Sequence, residues 1–323
     1  MPGIVMHHHF GRVVFSALND EVKRKIYNID LYDYATSGPD AFIYNNFLNS
    51  KLQKESKSFS KLMHRTHTKD FISKMIEVSR VDFNMFNYLC GFITHYFLDT
   101  YTNPYIYHKV GIYEKDDIET LEYRGLHMRL ERAMDCYVIE NYYEGKPHKF
   151  NIKRKILKLK KINKSSKEGF DRLYLSVYGK NDGYKYVNSS IKWQRRFYGL
   201  IYDPFGFKQK MFTKKDNGES SVDWKQLTYF EKTIPQAEYD IFNFYKKEWN
   251  HPVDKDIVQN SSFFELFDKA KKLAVDAIND LYKHVFERES FDLDLYFKDL
   301  SYITGLPCVY DLEMKYFDII FKK

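Results

Sequence analysis

Residues 88–104 read Y-L-C-G-F-I-T-H-Y-F-L-D-T-Y-T-N-P, an apolar, aromatic-rich run with two potential metal ligands in its middle. His95 and Asp99 stand four residues apart. On a helix they project from one face, with Cβ atoms roughly 5–6 Å apart. Their neighbours Leu89, Phe92, Ile93, Tyr96, Phe97 and Leu98 belong in a protein interior, where a carboxylate beside an imidazole is costly without compensation. A divalent cation compensates both.

Outward from this run the chain reads as helix after helix. Residues 10–27 place Phe10, Val13, Val14, Ala17, Leu18 and Val22 on one side at helical spacing, with His7 just ahead or in the first turn. Gly38-Pro39 punctuates residues 35–44 and puts Asp40 on a loop or at a helix start. Residues 58–79 are predicted helical, with His64 and His67 in their early part. Residues 84–102 form the next helix, ended by Asn103-Pro104. A further helix is predicted from the acidic segment 114–122 to about Tyr143, closed by Gly145 and Pro147.

From residue 150 the character changes. Residues 151–164, N-I-K-R-K-I-L-K-L-K-K-I-N-K, interleave a basic run with Ile152, Ile156, Leu159 and Ile162 at helical spacing. The plain expectation is a surface helix with snorkelling lysines; a phosphate- or membrane-contacting patch is the other reading. Helices are predicted at 166–178, 184–202, about 235–249 and 261–286, with Ser261 or Ser262 as a cap for the last. A long loop is predicted at 212–225, and an irregular tail includes Gly305-Leu306-Pro307. There is no internal repeat and no convincing strand alternation. The expected fold is all-α, one domain over 1–323, with a metal-binding core within 1–145 and a helical extension, 146–323, packed on it.

Composition narrows the class. The chain has 323 residues, 18% of them aromatic, and a formal net charge of +7; its mean hydropathy is -0.57. That charge favours encounter with anions. Cys90, Cys136 and Cys308 lie far apart with no C-x-x-C spacing, so neither a disulfide framework nor cysteine-ligated zinc is indicated. No stretch reaches the ~20 apolar residues needed to span a bilayer, and the start lacks a secretory pattern. A cytoplasmic location is expected.

A second ligand pair repeats the first. In R-G-L-H-M-R-L-E-R-A-M-D (124–135), His127 and Glu131 stand at i, i+4, and Asp135 extends that face by a turn. Alone, such a pair is ordinarily a solvated helix-surface contact. Together with His7, Asp40 and His64, the two helices offer nitrogen and oxygen ligands and no thiolate. That set suits zinc in a multi-metal hydrolytic site. More than half of the eleven histidines lie in the first 95 residues. His8 and His9 are expected at the surface, His67 beside the site as a rival to His64, and His148, His251 and His284 solvated or locally bonded.

The order M-P-x-x-x-x-H-x-x-F-G (His7), G-P-D-A-F-x-Y (Asp40), M-H-x-x-x-T-x-x-F (His64), L-C-G-F-x-x-H-Y-x-L-D (His95, Asp99), P-Y-I (104–106) and H-x-x-x-E-x-x-x-D (127–135) resembles the bacterial zinc-dependent phospholipase C family, which shares an all-α fold with fungal single-strand-specific nucleases. The resemblance covers roughly residues 1–140. W-N-H-P (249–252) and S-F-F-E-L-F-x-x-A (262–270) also look like the C-terminal part of long, uncharacterised members. The resemblance implies up to three zinc ions. Asp40, His64, His95 and Asp99 would bind one, Asp99 would bridge to a second held partly by His7, and His127 with Glu131 would bind a third. It implies hydrolysis of a phosphodiester by metal-activated water, with Asp40 as general base, as ligand, or as both. The expected substrate is a phosphate ester with a phospholipid head group foremost; peripheral membrane contact is open and no stable nucleic acid partner is expected. The alternatives are a nuclease or nucleotidase on the same scaffold, and a metal-stabilised protein without turnover.

Two departures from the family pattern bear on the metal count. Where the family carries a further histidine after the core Asp, this chain has Asn103, which weakens the third metal unless His108 or Asp135 substitutes. Secreted members chelate through a processed amino-terminal Trp, whereas this chain begins Met-Pro, so a two-metal or one-metal site is the other expectation.

Overall fold

The computed structural model describes residues 2–114, 116–215, 227–229 and 239–321. Thirteen α-helices are traced among them in chain order. The first seven are α1 (Ile4–Ala17), α2 (Asp20–Lys25), α3 (Ile29–Ala35), α4 (Ser50–Arg65), α5 (Thr68–Ser79), α6 (Phe83–Val110) and α7 (Leu126–Tyr142). Then follow α8 (Ile152–Lys155), α9 (Lys167–Tyr178), α10 (Gly183–Ile201), α11 (Phe207–Lys215), α12 (Phe263–Tyr282) and α13 (Leu293–Tyr296). The all-α expectation holds. The described residues add one two-residue antiparallel pair, β1 (Trp249–Asn250) with β2 (Val258–Gln259).

The apolar run becomes α6, the axis of the fold. Asp82 caps its start by accepting from the Asn84 N–H. Nearly every side chain along it is buried, because α1, α3, α5, α7 and α12 surround it. The predicted stop at Asn103-Pro104 is wrong: α6 runs on to Val110 and ends at Gly111, whose φ is +67°. Pro104 lacks the N–H that would bond the Thr100 carbonyl. Gly305, at φ +65°, lies so close to that carbonyl that any side chain there would strike it. That contact, 201–205 residues away along the chain, is invisible in local sequence.

Elsewhere continuous helices resolve into shorter ones. The 10–27 helix breaks at Leu18-Asn19. The 58–79 helix starts earlier, at Ser50, and breaks at Thr66-His67, where His67 takes a left-handed φ of 54°. The segment from 114 makes only a 3₁₀ turn over Ile118–Tyr123 before Gly125, at φ +79°, opens α7. The basic run is helical for one turn only, over Ile152–Lys155; Ile156, Leu157 and Ile162 are buried beyond it, pinning an irregular strand of chain whose lysines face out. The predicted 212–225 loop lies mostly outside the described residues, and of the 235–249 helix the described part, 239–248, is a series of turns. α12 starts as expected, with Ser262 and Glu265 forming a reciprocal capping box.

The tail docks on the far end of α6. His108 is buried, its Nδ1 3.2 Å from the Tyr316 carbonyl, and burial together with Lys109 pushes its pKa down to about 4. A histidine whose folded pKa is depressed contributes stability that is present above its unfolded pKa and is lost on acidification. Wild-type stability should therefore fall by about 2–3 kcal/mol between pH ~6.5 and ~4 from this group. His108→Gln, which keeps an N–H for Tyr316 and does not titrate, should flatten that loss; denaturant melts across the pH range read it directly.

Candidate metal centre

Four elements converge on one buried point. α6 supplies His95 and Asp99, α1 supplies His7, α4 supplies His64, and a 3₁₀ turn over Gly38–Tyr44 supplies Asp40. Asp99 sits in the middle: its Oδ1 is 3.3 Å from His7 Nε2, and its Oδ2 is 3.2 Å from His95 Nε2 and 3.9 Å from His64 Nε2. Asp40 Oδ1 lies 3.3 Å from His64 Nε2. The rings of His7 and His95 stack at 4.3 Å. Two overlapping ligand groups result, His7 with His95 and Asp99, and Asp40 with His64 and His95; within each, the donor atoms lie within 4.8 Å of one another.

The supporting chain sets which nitrogen faces the centre. His64 Nδ1 lies 2.7 Å from the Ser60 carbonyl, one turn back on α4, and His95 Nδ1 lies 3.2 Å from the Thr36 carbonyl. A carbonyl only accepts, so each Nδ1 carries a hydrogen, and each ring turns its Nε2 inward. Gly38 makes the approach feasible: its φ is +47°, and a side chain there would collide with the His95 ring.

At the centre, polar atoms are buried without partners. His7 Nδ1 and Nε2, His64 Nε2, His95 Nε2, Asp40 Oδ1 and both oxygens of Asp99 make no hydrogen bond among the described residues. Their mutual distances of 3.2–3.3 Å exceed those of a charge-assisted hydrogen bond, about 2.7–2.9 Å. Burial drives the Asp99 carboxyl up, but His95 and His7 outweigh it and hold it well below the usual carboxylate range. So many orphaned donors and acceptors in one place are rare in native proteins. Imidazole nitrogens and carboxylate oxygens pointing at one space fit zinc.

The other candidates fall elsewhere. His127 Nε2 is 3.2 Å from Glu131 Oε1, partly exposed, and the pair joins no three-ligand group found among the described residues. Asp135 does not extend that face into the centre. Its Oδ1 accepts from the Met6 N–H at 2.9 Å and its Oδ2 from the Tyr229 hydroxyl at 2.7 Å. It thus caps the first turn of α1, with burial pushing its pKa up to about 6. His108, half a helix turn round from the ligands, faces the tail. His67 is exposed and bonds Asp70 at 3.0 Å, leaving the position to His64. His8 and His9 are buried rather than superficial; His8 Nδ1 meets Tyr143 Oη at 2.7 Å, and His9 packs on Tyr142 at 4.3 Å. Asn103 does stand one turn beyond Asp99. Its Nδ2 donates to the Tyr302 carbonyl at 2.7 Å, leaving Oδ1 buried and unpartnered.

A cavity of about 230 Å³ opens beside the cluster, and His7, Asp40 and Glu131 line it. The same walls carry Tyr44, Lys57, Arg132, Gln194 and Tyr198, none of which sequence reasoning singled out. Gln194 is buried, donates from Nε2 to Ser37 Oγ at 3.2 Å, and has an unpartnered Oε1. A signal existed: Val187, Ile191, Tyr198 and Ile201 are its companions on the buried face of α10, so Gln194 is a polar interruption of an apolar stripe. Tyr302, packed edge-on to His64 at 5.5 Å, comes from the irregular tail and left no such trace.

A family model described as zinc dependent phospholipase C matches residues 6–190, more than half of the chain. No curated protein and no solved structure matches.

Proposed function

This chain belongs to the zinc-dependent phospholipase C family, and from that premise we propose that it hydrolyses a phosphodiester of the phospholipid type at the His/Asp cluster. The observation that carries the reading is the set of buried, unpartnered ligand atoms around Asp99. His7, His95 and Asp99 are one set that would hold zinc and Asp40, His64 and His95 the other; His127 and Glu131 are the candidates for a further ion. Bound zinc supplies Lewis-acid polarisation of a phosphoryl oxygen and acidifies water.

The chain's own groups do the rest. Asp40, half-buried at the cavity wall, is placed to take the proton of the attacking water on a carboxylate oxygen. Ser60 and Thr36 keep the imidazoles in one tautomer through the reaction. Tyr44, Phe197, Tyr198 and Leu227 wall the cavity and exclude bulk water, which strengthens each charge interaction inside.

The test is a substrate panel on the zinc-loaded chain. Release of diacylglycerol and phosphorylated head group from phosphatidylcholine is expected to outpace cleavage of a single-stranded oligonucleotide. The reverse order points to the nuclease reading. Retained zinc with no hydrolysis of any diester points to a structural metal.

A further inference from the structure

We propose that residues 153–164 and the turn at 200–211 together form a docking surface for an acidic phospholipid membrane. Lys153, Arg154, Lys155, Lys158, Lys160 and Lys161 are exposed, Lys164 follows them, and no acidic residue occurs between 151 and 167. None of these seven cations makes an ion pair within 4.0 Å among the described residues, in contrast to Lys167, which pairs with Asp171 at 2.6 Å. The burial of Ile152, Ile156, Leu157 and Ile162 fixes the backbone and leaves the basic side chains pointing out. This is not the amphipathic helix the spacing predicts. Lys155 and Lys158 also border an open notch of about 430 Å³ with Arg12, His8 and Tyr142, of a size to accept a lipid head group.

The apolar part lies alongside. The Lys153 stem packs against Gly199, and just beyond it Leu200 is 52%, Phe205 75%, Phe207 73% and Met211 56% exposed. The rings of Phe205 and Phe207 lie 6.3 Å apart, and Lys208 donates to the carbonyls of Leu200 and Tyr202. Exposed aromatics among unpaired cations fit a surface that is anionic at the head groups and hydrocarbon beneath. A polyanion in water gives the apolar side chains nothing to enter. No helix among the described residues is long and apolar enough to cross a membrane, so the contact is peripheral. α10 links the surface to the chemistry: Phe197 and Tyr198, three and two residues before Leu200, line the cavity beside Asp40.

Flotation with vesicles tests the assignment, using the full chain and conditions that release no head group. Wild type is expected to bind vesicles of phosphatidylcholine with phosphatidylserine roughly a hundredfold or more tightly than phosphatidylcholine alone, at about fivefold per engaged cation. Binding should weaken as salt rises. The chain carrying Lys155→Ala, Lys158→Ala, Lys160→Ala and Lys161→Ala should lose roughly a hundredfold or more on acidic vesicles. Phe205→Ser with Phe207→Ser should release the chain from both vesicle types. All variants should keep wild-type circular dichroism and wild-type hydrolysis of a soluble diester. Unchanged binding in the lysine variant, no binding by wild type, or tighter retention by single-stranded RNA than by vesicles overturns the proposal. The surface stands apart from the hydrolase reading: a chain that binds acidic vesicles and hydrolyses nothing defeats only the latter.

Discussion

Asp99→Ala is expected to strip the purified chain of most of its zinc and to bring diester hydrolysis to background. Among the described residues Asp99 is the one carboxylate within 4.0 Å of all of His7, His64 and His95, so its loss removes a member of one ligand group and a neighbour of the other. The effect should exceed the roughly 10–100-fold loss of metal affinity that follows when only a supporting residue is changed. Stability moves with the metal. At zinc about 1,000-fold above Kd, bound metal contributes about 4 kcal/mol to the native state, and the mutant forfeits it. A chelator should narrow the comparison: with zinc removed, wild type forfeits the metal's contribution too, and the gap that remains is the interaction of Asp99 with His95 and His7. Thermal melts with and without EDTA, alongside metal analysis, separate this from a general packing defect. A mutant that keeps full zinc would show that Asp99 is not a ligand.

Asp40→Asn is expected to lower kcat by about 10²–10⁴, the range for a lost general base, while zinc content falls less than in Asp99→Ala. The difference follows from position. Asp99 is fully buried between three imidazoles, whereas Asp40 lies at the cavity wall and contacts His64 alone among them, at 3.3 Å. A wild-type rate in Asp40→Asn with metal retained would remove it from the proton transfer. A fall in zinc as deep as that of Asp99→Ala would make it a ligand first.

Much of the candidate centre was legible because its candidate ligands obey local rules. His95 and Asp99 share a helix face by spacing alone, and their apolar flanks mark that face as interior. Gly38-Pro39 announced a turn that presents Asp40. What local rules missed depended on contacts distant in sequence. His64 rather than His67 faces the centre because α4 ends between them and the Ser60 carbonyl orients the ring. Asp135 has the spacing of a ligand, but the Met6 N–H and the Tyr229 hydroxyl, 129 and 94 residues away, occupy its oxygens. Pro104 reads as a helix end, yet α6 continues through it to Val110, with Gly305 packed close to the Thr100 carbonyl. His8 and His9 look superficial in a polar triplet, yet Tyr142, Tyr143 and Phe267 cover them. The irregular tail carries no periodic signal, and still it places Tyr302 against His64 and Asn103.

If the unpartnered atoms around Asp99 are metal ligands, the purified chain holds zinc. Mass-spectrometric metal analysis of the purified chain, repeated after dialysis against zinc, measures it most directly. About two or more zinc ions per chain are expected, as two adjacent ligand groups of this type hold. A chain that carries no zinc and takes none up contradicts that assignment.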